Sequence, residues 1–270
     1  MIIGVTGATG FMGRHLVERL NQEGHTTRAL MRDPEKETDA KEKVKGDLET
    51  AEGLEEFLTG VDVVVNLVGR FPPPFKDQLI GNAGNLENLC QAAVKSGTKK
   101  IVHISAAAVE QLDTTYSLSK KMAEEVADFY HKNFGLSFVI LRPPNVYGPG
   151  SDHGVVYNFI KSAKETGGVN IHGDGTQKRD FLFVGDLVDA IVKSINHETA
   201  WDIFNVTTSD PKDLNELVST LSKVMGKDIK ANYQGEAQDA KVVSADNSKA
   251  MKELGWEPQT SLEEGLAKTL

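Results

Sequence analysis

Tyr116 and Lys120 stand four residues apart in Thr115 to Phe134, a stretch of helical periodicity, so their side chains share one helix face. A phenol has an ordinary pKa of about 10, too high for a good base at neutral pH. An ammonium beside it favours the phenolate and lowers that value. Such a pair can give or take a hydroxyl proton while a hydride moves between a substrate carbon and a nicotinamide. Y-x-x-x-K alone also describes an ordinary surface pair. Position gives it weight: it follows Lys100 to Ser105 (KIVHIS), read as a strand that ends in Ser105.

A second group of residues could do chemistry through the backbone. In MIIGVTGATGFMGRHLVERL, Ile2, Ile3 and Val5 form a β-rich apolar run, and Leu16, Val17 and Leu20 recur at helical spacing. Between them lie Gly7, Gly10 and Gly13, spaced G-x-x-G-x-x-G and not G-x-G-x-x-G. Glycines let the chain turn tightly and approach a ligand. The free N–H groups and positive end of the next helix then face a phosphate. Strand, glycine turn and helix in that order make the first unit of a dinucleotide-binding sheet. The bland alternative is an ordinary glycine-rich turn.

The remaining elements must position these groups. Thr26 to Met31 reads as a second strand, stopped by Arg32-Asp33-Pro34. Its end lies beside the adenosine ribose in such sheets, where an acid favours NAD. Arg32 suits a 2′-phosphate and favours NADP, with NAD as the alternative because Asp33 is adjacent. Val44 to Asp47 is a short third strand, and Asp47-Leu48 closes it where an adenine could lie. Val61 to Val68 is nearly all apolar, as a central parallel strand requires, and Gly69 after it lets backbone meet a cofactor. Arg70 to Phe75 (RFPPPF) is a stiff loop in which Phe71 lines a pocket or merely connects. Asp77 to Ser96 reads as a helix and Ser137 to Arg142 as a strand, ended by Pro143-Pro144. The repeating βα units predict a doubly wound parallel sheet. Beyond Gly150 the pattern loosens: a helix over Val155 to Glu165, turns over Gly167 to Gly175, a strand over Arg179 to Val184, Asp186 as a helix N-cap, a strand over Trp201 to Val206, a helix over Leu214 to Met225, and a last amphipathic segment from Leu262.

The chain has 270 residues, a net charge of −9 and one cysteine. The charge argues against a nucleic-acid partner. A lone Cys90 at helical spacing with Leu86, Leu89 and Ala93 reads as core, and no disulfide framework is expected. The seven histidines are scattered without metal-ligand spacing. No apolar stretch is long enough to span a membrane, and no signal segment precedes the first strand, so the cytoplasm is the expected location.

With these pieces in order, the chain resembles the extended short-chain dehydrogenase/reductase family, of the nucleoside-diphosphate-sugar epimerase/dehydratase type. The resemblance runs through TGATGFMG, Gly46-Asp47-Leu48, KIVHIS, Y-S-L-S-K, LRPPNVYGPG, GDGTQKRDFLFVGDLVDA, IFNVTTS and KELGWEPQTSLEEGLAKTL. It implies an α/β Rossmann fold over 1–150, with 179–210 packing back onto it, and a smaller substrate lobe from 151–178 and 211–270. It implies Tyr116 as acid/base, Lys120 as its tuner and ribose contact, and Ser105 as the hydroxyl on the reacting oxygen. It also implies Asn145 and Arg179 on the substrate diphosphate. Residues and resemblance together give a cofactor set of Gly7, Thr9, Gly10, Phe11, Met12, Gly13, Arg32, Asp47, Leu48, Leu67, Val68, Gly69, Tyr116, Lys120, Pro143, Asn145 and Val146. The substrate set is Phe71, Ala107, Asn145 and Arg179. The implied partner is a sugar nucleotide or similar hydroxyl or keto substrate, with a homodimer left open.

The chain departs from the family after KIVHIS. Ser105 is followed by Ala106, Ala107 and Ala108, so if the reacting hydroxyl belongs two residues on, Ala107 occupies its place. The expected function is therefore NAD(P)-dependent oxidoreduction or epimerisation. A non-catalytic NADP-binding sensor or assembly protein on the same fold is the alternative.

Overall fold

The opening residues fold as their order dictates. In the computed structural model, which describes residues 1–236 and 244–270, Ile2–Thr6 is strand β1 and Phe11–Gln22 is helix α1. There follow β2 (Thr26–Met31), β3 (Glu42–Lys45), α2 (Leu54–Leu58), β4 (Val63–Asn66) and α3 (Phe75–Leu79). A π-helical turn over Ile80–Gly84 leads into α4 (Asn85–Ser96), then β5 (Lys100–Ile104), α5 (Thr115–Phe134) and β6 (Ser137–Arg142). The rest comprises β7 (Asn145–Tyr147), α6 (Gly154–Thr166), β8 (Gly168–His172), β9 (Lys178–Arg179), β10 (Phe181–Phe183), α7 (Val184–Asn196), β11 (Trp201–Asn205), β12 (Lys212–Asp213), α8 (Leu214–Met225), β13 (Lys230–Gln234) and α9 (Leu262–Thr269).

The main sheet has seven strands in the order β11-β6-β5-β4-β1-β2-β3. The pairs among β1 to β6 are parallel. This is the doubly wound Rossmann architecture. The strand order reverses between β1 and β4, and ligands bind such sheets outside the carboxyl ends of the strands at that switch point. Register puts Thr6 opposite Asn66 and Asn66 opposite His103 at those ends.

The described chain forms two compact units, Met1–Arg142 with Val188–Phe204, and Pro143–Leu187 with Asn205–Leu270. The first is built on a core that includes Phe57, Leu86, Leu89, Ile101, Phe138 and Ile140. The second has its own core, including Tyr147, Phe159, Ile171, Leu217, Leu221 and Leu266.

Helix starts follow local chemistry. Thr114 caps α5 and exchanges bonds with Ser117, Asp213 caps α8 with Glu216, and Ser261 caps α9 with Glu264. Asp186 is a correction: α7 begins at Val184, so Asp186 lies inside its first turn and is no N-cap. Its carboxylate accepts from the Thr260 N–H at 3.0 Å and its carbonyl from Trp256 Nε1 at 2.8 Å. The strand expected over Arg179 to Val184 is divided: β9 pairs antiparallel with β12, and β10 pairs parallel with β7. Part of the expected turn region is strand β8, because a distant partner, β13, completes its ladder.

Candidate active site

The glycine cradle is set by sterics. Gly7 adopts φ +76°, and the Gly10 N–H donates to its carbonyl at 3.0 Å. A Cβ at Gly13 would lie 2.1 Å from the Gly7 oxygen, so only glycine lets α1 start this close to β1. Gly10 is the N-cap of α1, with no side-chain cap and no acid in the first turn. The leading N–H groups of the helix therefore have no side-chain acceptor, and an anion fits there. Phe11 and Met12 form the first turn, with Phe11 edge-on to His15 at 5.7 Å.

A cleft of about 390 Å³ opens beside the cradle. It is lined by Gly7, Thr9, Arg32, Asp47, Leu48, Val68 and Gly69 of the expected cofactor set. It is also lined by Lys36, Arg70, Ile80, Gly81 and Asn85, which the expected set lacks. Asp77, Gly81 and Asn85 recur every four residues, a signal by which one face of α3 to α4 was findable. Arg32 and Lys36 are exposed along the cleft. The neighbouring Asp33 carboxylate is used locally, accepting from the Glu35 N–H at 3.1 Å. The Asp47 carboxylate likewise accepts from the Glu49 N–H at 3.0 Å.

Beneath the cleft runs a buried polar rung. Thr6 Oγ1 donates to Asn66 Oδ1 at 2.6 Å, and Asn66 Nδ2 lies 3.1 Å from His103 Nδ1. With Asn66 Oδ1 occupied as an acceptor, its amide donates, so His103 Nδ1 accepts and the ring is neutral. Burial, aided by Lys120, holds the His103 pKa well below its ordinary value. Asn66 Oδ1 also accepts from the Val68 N–H at 3.3 Å, fixing the turn out of β4 next to buried Leu67.

Lys120 is buried, and its Nζ donates to the Ile104 carbonyl at 2.9 Å. A Cβ at Gly69, just past β4, would sit 2.8 Å from that Nζ, so a side chain there would displace the amine. Burial lowers the Lys120 pKa to about 8 against the opposing pull of Glu124. Burial alone pushes Tyr116 up to about 12. The Tyr116 ring meets Phe71 at 4.9 Å and 67°. So cleft, Gly69, Lys120, Tyr116 and Phe71 fall within the first unit.

Ser105 has a different setting. Its hydroxyl is buried and donates to Glu124 Oε1 at 2.7 Å. Arg142 Nε donates to the same oxygen at 2.8 Å and Nη2 to Oε2 at 2.6 Å. Arg142 Nη1 also reaches Glu110 at 3.3 Å. Ala107, buried, opens the short turn Ala107–Glu110 and carries no hydroxyl. Glu124 and Arg142 were not foreseen, since nothing local pairs residues 18 apart.

Pro143, Asn145, Val146 and Arg179 belong to the second unit. Asn145 donates through both its backbone N–H and Nδ2 to the Asp180 carbonyl, at 3.2 and 3.1 Å. Arg179 is half-buried on β9, opposite Lys212. The Asp180 carboxylate beneath is filled by Thr208, Ser209 and Ser244.

A parallel sheet switching at β1, a glycine cradle at its carboxyl edge and an i, i+4 Tyr–Lys pair on α5 define a dinucleotide-binding protein of the short-chain dehydrogenase class. The chain belongs to the NAD dependent epimerase/dehydratase family, whose sequence pattern matches residues 3–207. A UDP-glucuronate 4-epimerase of Thermodesulfobacterium geofontis is 34% identical over 200 residues, which is 68% of this chain and 62% of that protein's length. A UDP-glucose 4-epimerase of Mycolicibacterium smegmatis is 30% identical over 308 aligned residues, covering 98% of this chain and 96% of that one. The solved structure of MoeE5 in complex with UDP-glucuronic acid and NAD superposes with a TM-score of 0.91 at 28% identity, covering 100% of this chain and 97% of that one. Among the described residues no helix is long and apolar enough to cross a membrane.

Proposed function

We propose that this chain is a nicotinamide-dinucleotide-dependent epimerase or oxidoreductase of UDP-sugars, with Tyr116 as its acid/base. One observation carries the proposal. In a family whose relatives act on UDP-sugars, this chain keeps a buried lysine beside a glycine at the cofactor cleft, with a tyrosine one turn away. The uncapped α1 terminus and Gly7, Gly10 and Gly13 would hold the pyrophosphate. Thr9, Phe11, Met12, Asp47, Leu48, Leu67, Val68 and Gly69 would line the rest of the dinucleotide. When bound, the nicotinamide supplies the acceptor and donor of hydride. Tyr116 takes the proton of the substrate hydroxyl during oxidation and returns it during reduction. Lys120, cationic below about pH 8, is assigned the role of favouring the phenolate against the burial that holds the Tyr116 phenol up at about 12. Segments 151–178 and 211–270 supply the substrate lobe, and Asn145 and Arg179, in the same compact unit, are assigned to the diphosphate. Arginine suits that role because its planar fork bonds two oxygens at once.

Ser105 and Ala107 are assigned no proton step. The Ser105 hydroxyl already donates to Glu124, and Ala107 has none to give. We assign NADP over NAD as the preferred dinucleotide. Arg32 and Lys36 stand exposed along the cleft and outnumber Asp33, the one acid of that turn lining it, whose Oδ1 already accepts from the Glu35 N–H.

The test is incubation with UDP-glucose or UDP-glucuronic acid and either dinucleotide. Reduced cofactor is followed by absorbance and the sugar by proton NMR. The expected result is a C4-altered sugar made by wild type and not by Tyr116→Phe. If both forms bind cofactor equally and neither turns over any sugar on a broad panel, the non-catalytic sensor takes its place.

A further inference from the structure

Phe71 keeps 66% of its surface exposed, more than any other large apolar side chain among the described residues. A lone exposed apolar side chain is ordinary on a protein surface, and exposure alone assigns Phe71 no role. Its backbone is nevertheless held from several sides. The Phe71 carbonyl accepts from Gln78 Nε2 at 2.6 Å. Arg70, one residue earlier, has both backbone groups clamped by one side chain: its N–H donates to Asn82 Oδ1 at 2.9 Å and its carbonyl accepts from Asn82 Nδ2 at 3.0 Å. The Arg70 guanidinium pairs with Asp77 at 2.9 Å. Pro72, Pro73 and Pro74 restrict the chain that follows.

The clamp reaches the catalytic helix. Asn82 Nδ2 also donates to Ser119 Oγ at 2.8 Å, and Ser119 Oγ donates to the Tyr116 carbonyl at 2.8 Å. Asn82 lies in the π turn Ile80–Gly84, and π turns often mark functional sites. The approach there is close: a Cβ on Gly81 would lie 2.7 Å from Arg70 Cβ. One buried asparagine thus fixes the Phe71 loop and the Tyr116 turn in a common frame. The outcome is the contact between the Phe71 and Tyr116 rings at 4.9 Å, with the rest of Phe71 left open.

We infer that Phe71 is a specificity-determining residue, a wall beside Tyr116 that stacks on the apolar C–H face of the sugar ring reacting there, with Asn82 as the residue that positions it. The inference rests on the UDP-sugar reading above. A pyranose has hydroxyls around its rim and C–H bonds on its faces, so a preordered aromatic beside the acid/base can select for the ring and fix which carbon meets the phenol. Because loop and ring are already ordered, little entropy is lost on stacking.

The test is calorimetric titration of UDP-glucose and of UDP alone into the dinucleotide-loaded protein, wild type against Phe71→Ala and Phe71→Tyr. Thermal unfolding serves as the folding control. Phe71→Ala is expected to weaken UDP-glucose roughly tenfold and leave UDP and the dinucleotide unchanged, while Phe71→Tyr keeps wild-type affinity. An equal loss for UDP would move Phe71 to the nucleotide, and a loss for the dinucleotide would move it to the nicotinamide; either overturns the inference, as does no loss at all. Wild type that binds neither UDP-glucose nor UDP overturns the UDP-sugar reading and with it this inference, whereas wild type that binds UDP-glucose no better than Phe71→Ala overturns this inference alone.

Discussion

Two polar clusters share helix α5 and are built on opposite plans. Around Glu124, each carboxylate oxygen is met, by Ser105 and Arg142, and the group is sealed from solvent. One turn earlier, Lys120 has a single backbone acceptor and the Tyr116 phenol has no protein partner among the described residues. The first arrangement is the only one in which a buried ion pair is tolerable, since an unmatched charge there is costly. The second retains unmet polar groups, which is the condition for acting on a ligand. The comparison puts the Ser105 hydroxyl, one residue past β5, among the bonds of the satisfied cluster.

That division is open to direct attack. Tyr116→Phe should lower kcat by about 10² to 10⁴ while thermal stability stays unchanged, because it deletes one proton carrier and no packing. Ser105→Ala should keep kcat within roughly tenfold, since general acid–base loss costs far more than that. Equal losses at the two positions, measured by turnover of the same UDP-sugar, would erase the contrast. Glu124→Ala should show the opposite profile. It removes both Arg142–Glu124 bonds, leaving that guanidinium its longer contact to Glu110, and is expected to destabilise by about 3 kcal/mol, read from denaturant unfolding. The folded fraction should still bind the dinucleotide.

How much of this was visible beforehand depends on the reach of each interaction. The glycine cradle was legible because Gly7, Gly10 and Gly13 act within one turn of chain. The Tyr116–Lys120 pair was legible because helical spacing alone puts the two on one face. The Glu124 cluster was not, since it joins α5 to the end of β6 through side chains whose pairing only the sheet determines. The Asn82 clamp was hidden for a similar reason: its partners Arg70 and Ser119 come from separate elements. The Thr6–Asn66–His103 rung requires the register of three strands, which composition does not give. Asp186 misled because an acid ahead of an apolar run looks like a cap, whereas its bonds go to Thr260. Strand β8 was read as turn because its partner β13 is remote in sequence.

Lys120 sharpens the contrast through pH. Its pKa falls to about 8 in the fold, below its ordinary 10.5. A lysine shifted down weakens the fold wherever the unfolded chain holds the proton more tightly. That penalty is complete below about pH 8 and fades as pH rises toward 10.5. Lys120→Met is therefore expected to gain on wild type by about 3 kcal/mol on going from high pH to pH 7, on the scale of 1.36 kcal/mol per pKa unit. Unfolding free energies measured across pH 7 to 11 check this. A difference between the two proteins that does not change with pH would place Lys120 with the satisfied cluster. The same substitution should abolish turnover at every pH.

The smallest expected effect concerns the open cleft itself. Arg32, Lys36 and Asp33 are all exposed on its rim, with one Asp33 oxygen accepting from the Glu35 N–H. A 2′-phosphate would find two cations there against one acid. Wild type is thus expected to bind NADP more tightly than NAD. Arg32→Ala should narrow the gap roughly tenfold by weakening NADP alone, the size of one charge-assisted hydrogen bond. Lys36, a point charge without a planar fork, should matter less than Arg32. Fluorescence titration of both dinucleotides against wild type and Arg32→Ala decides it. An unchanged preference, or equal weakening of NAD, would show that the ribose end of the cleft is read by backbone alone. The contrast between sealed and open polar groups would then stop at Lys120.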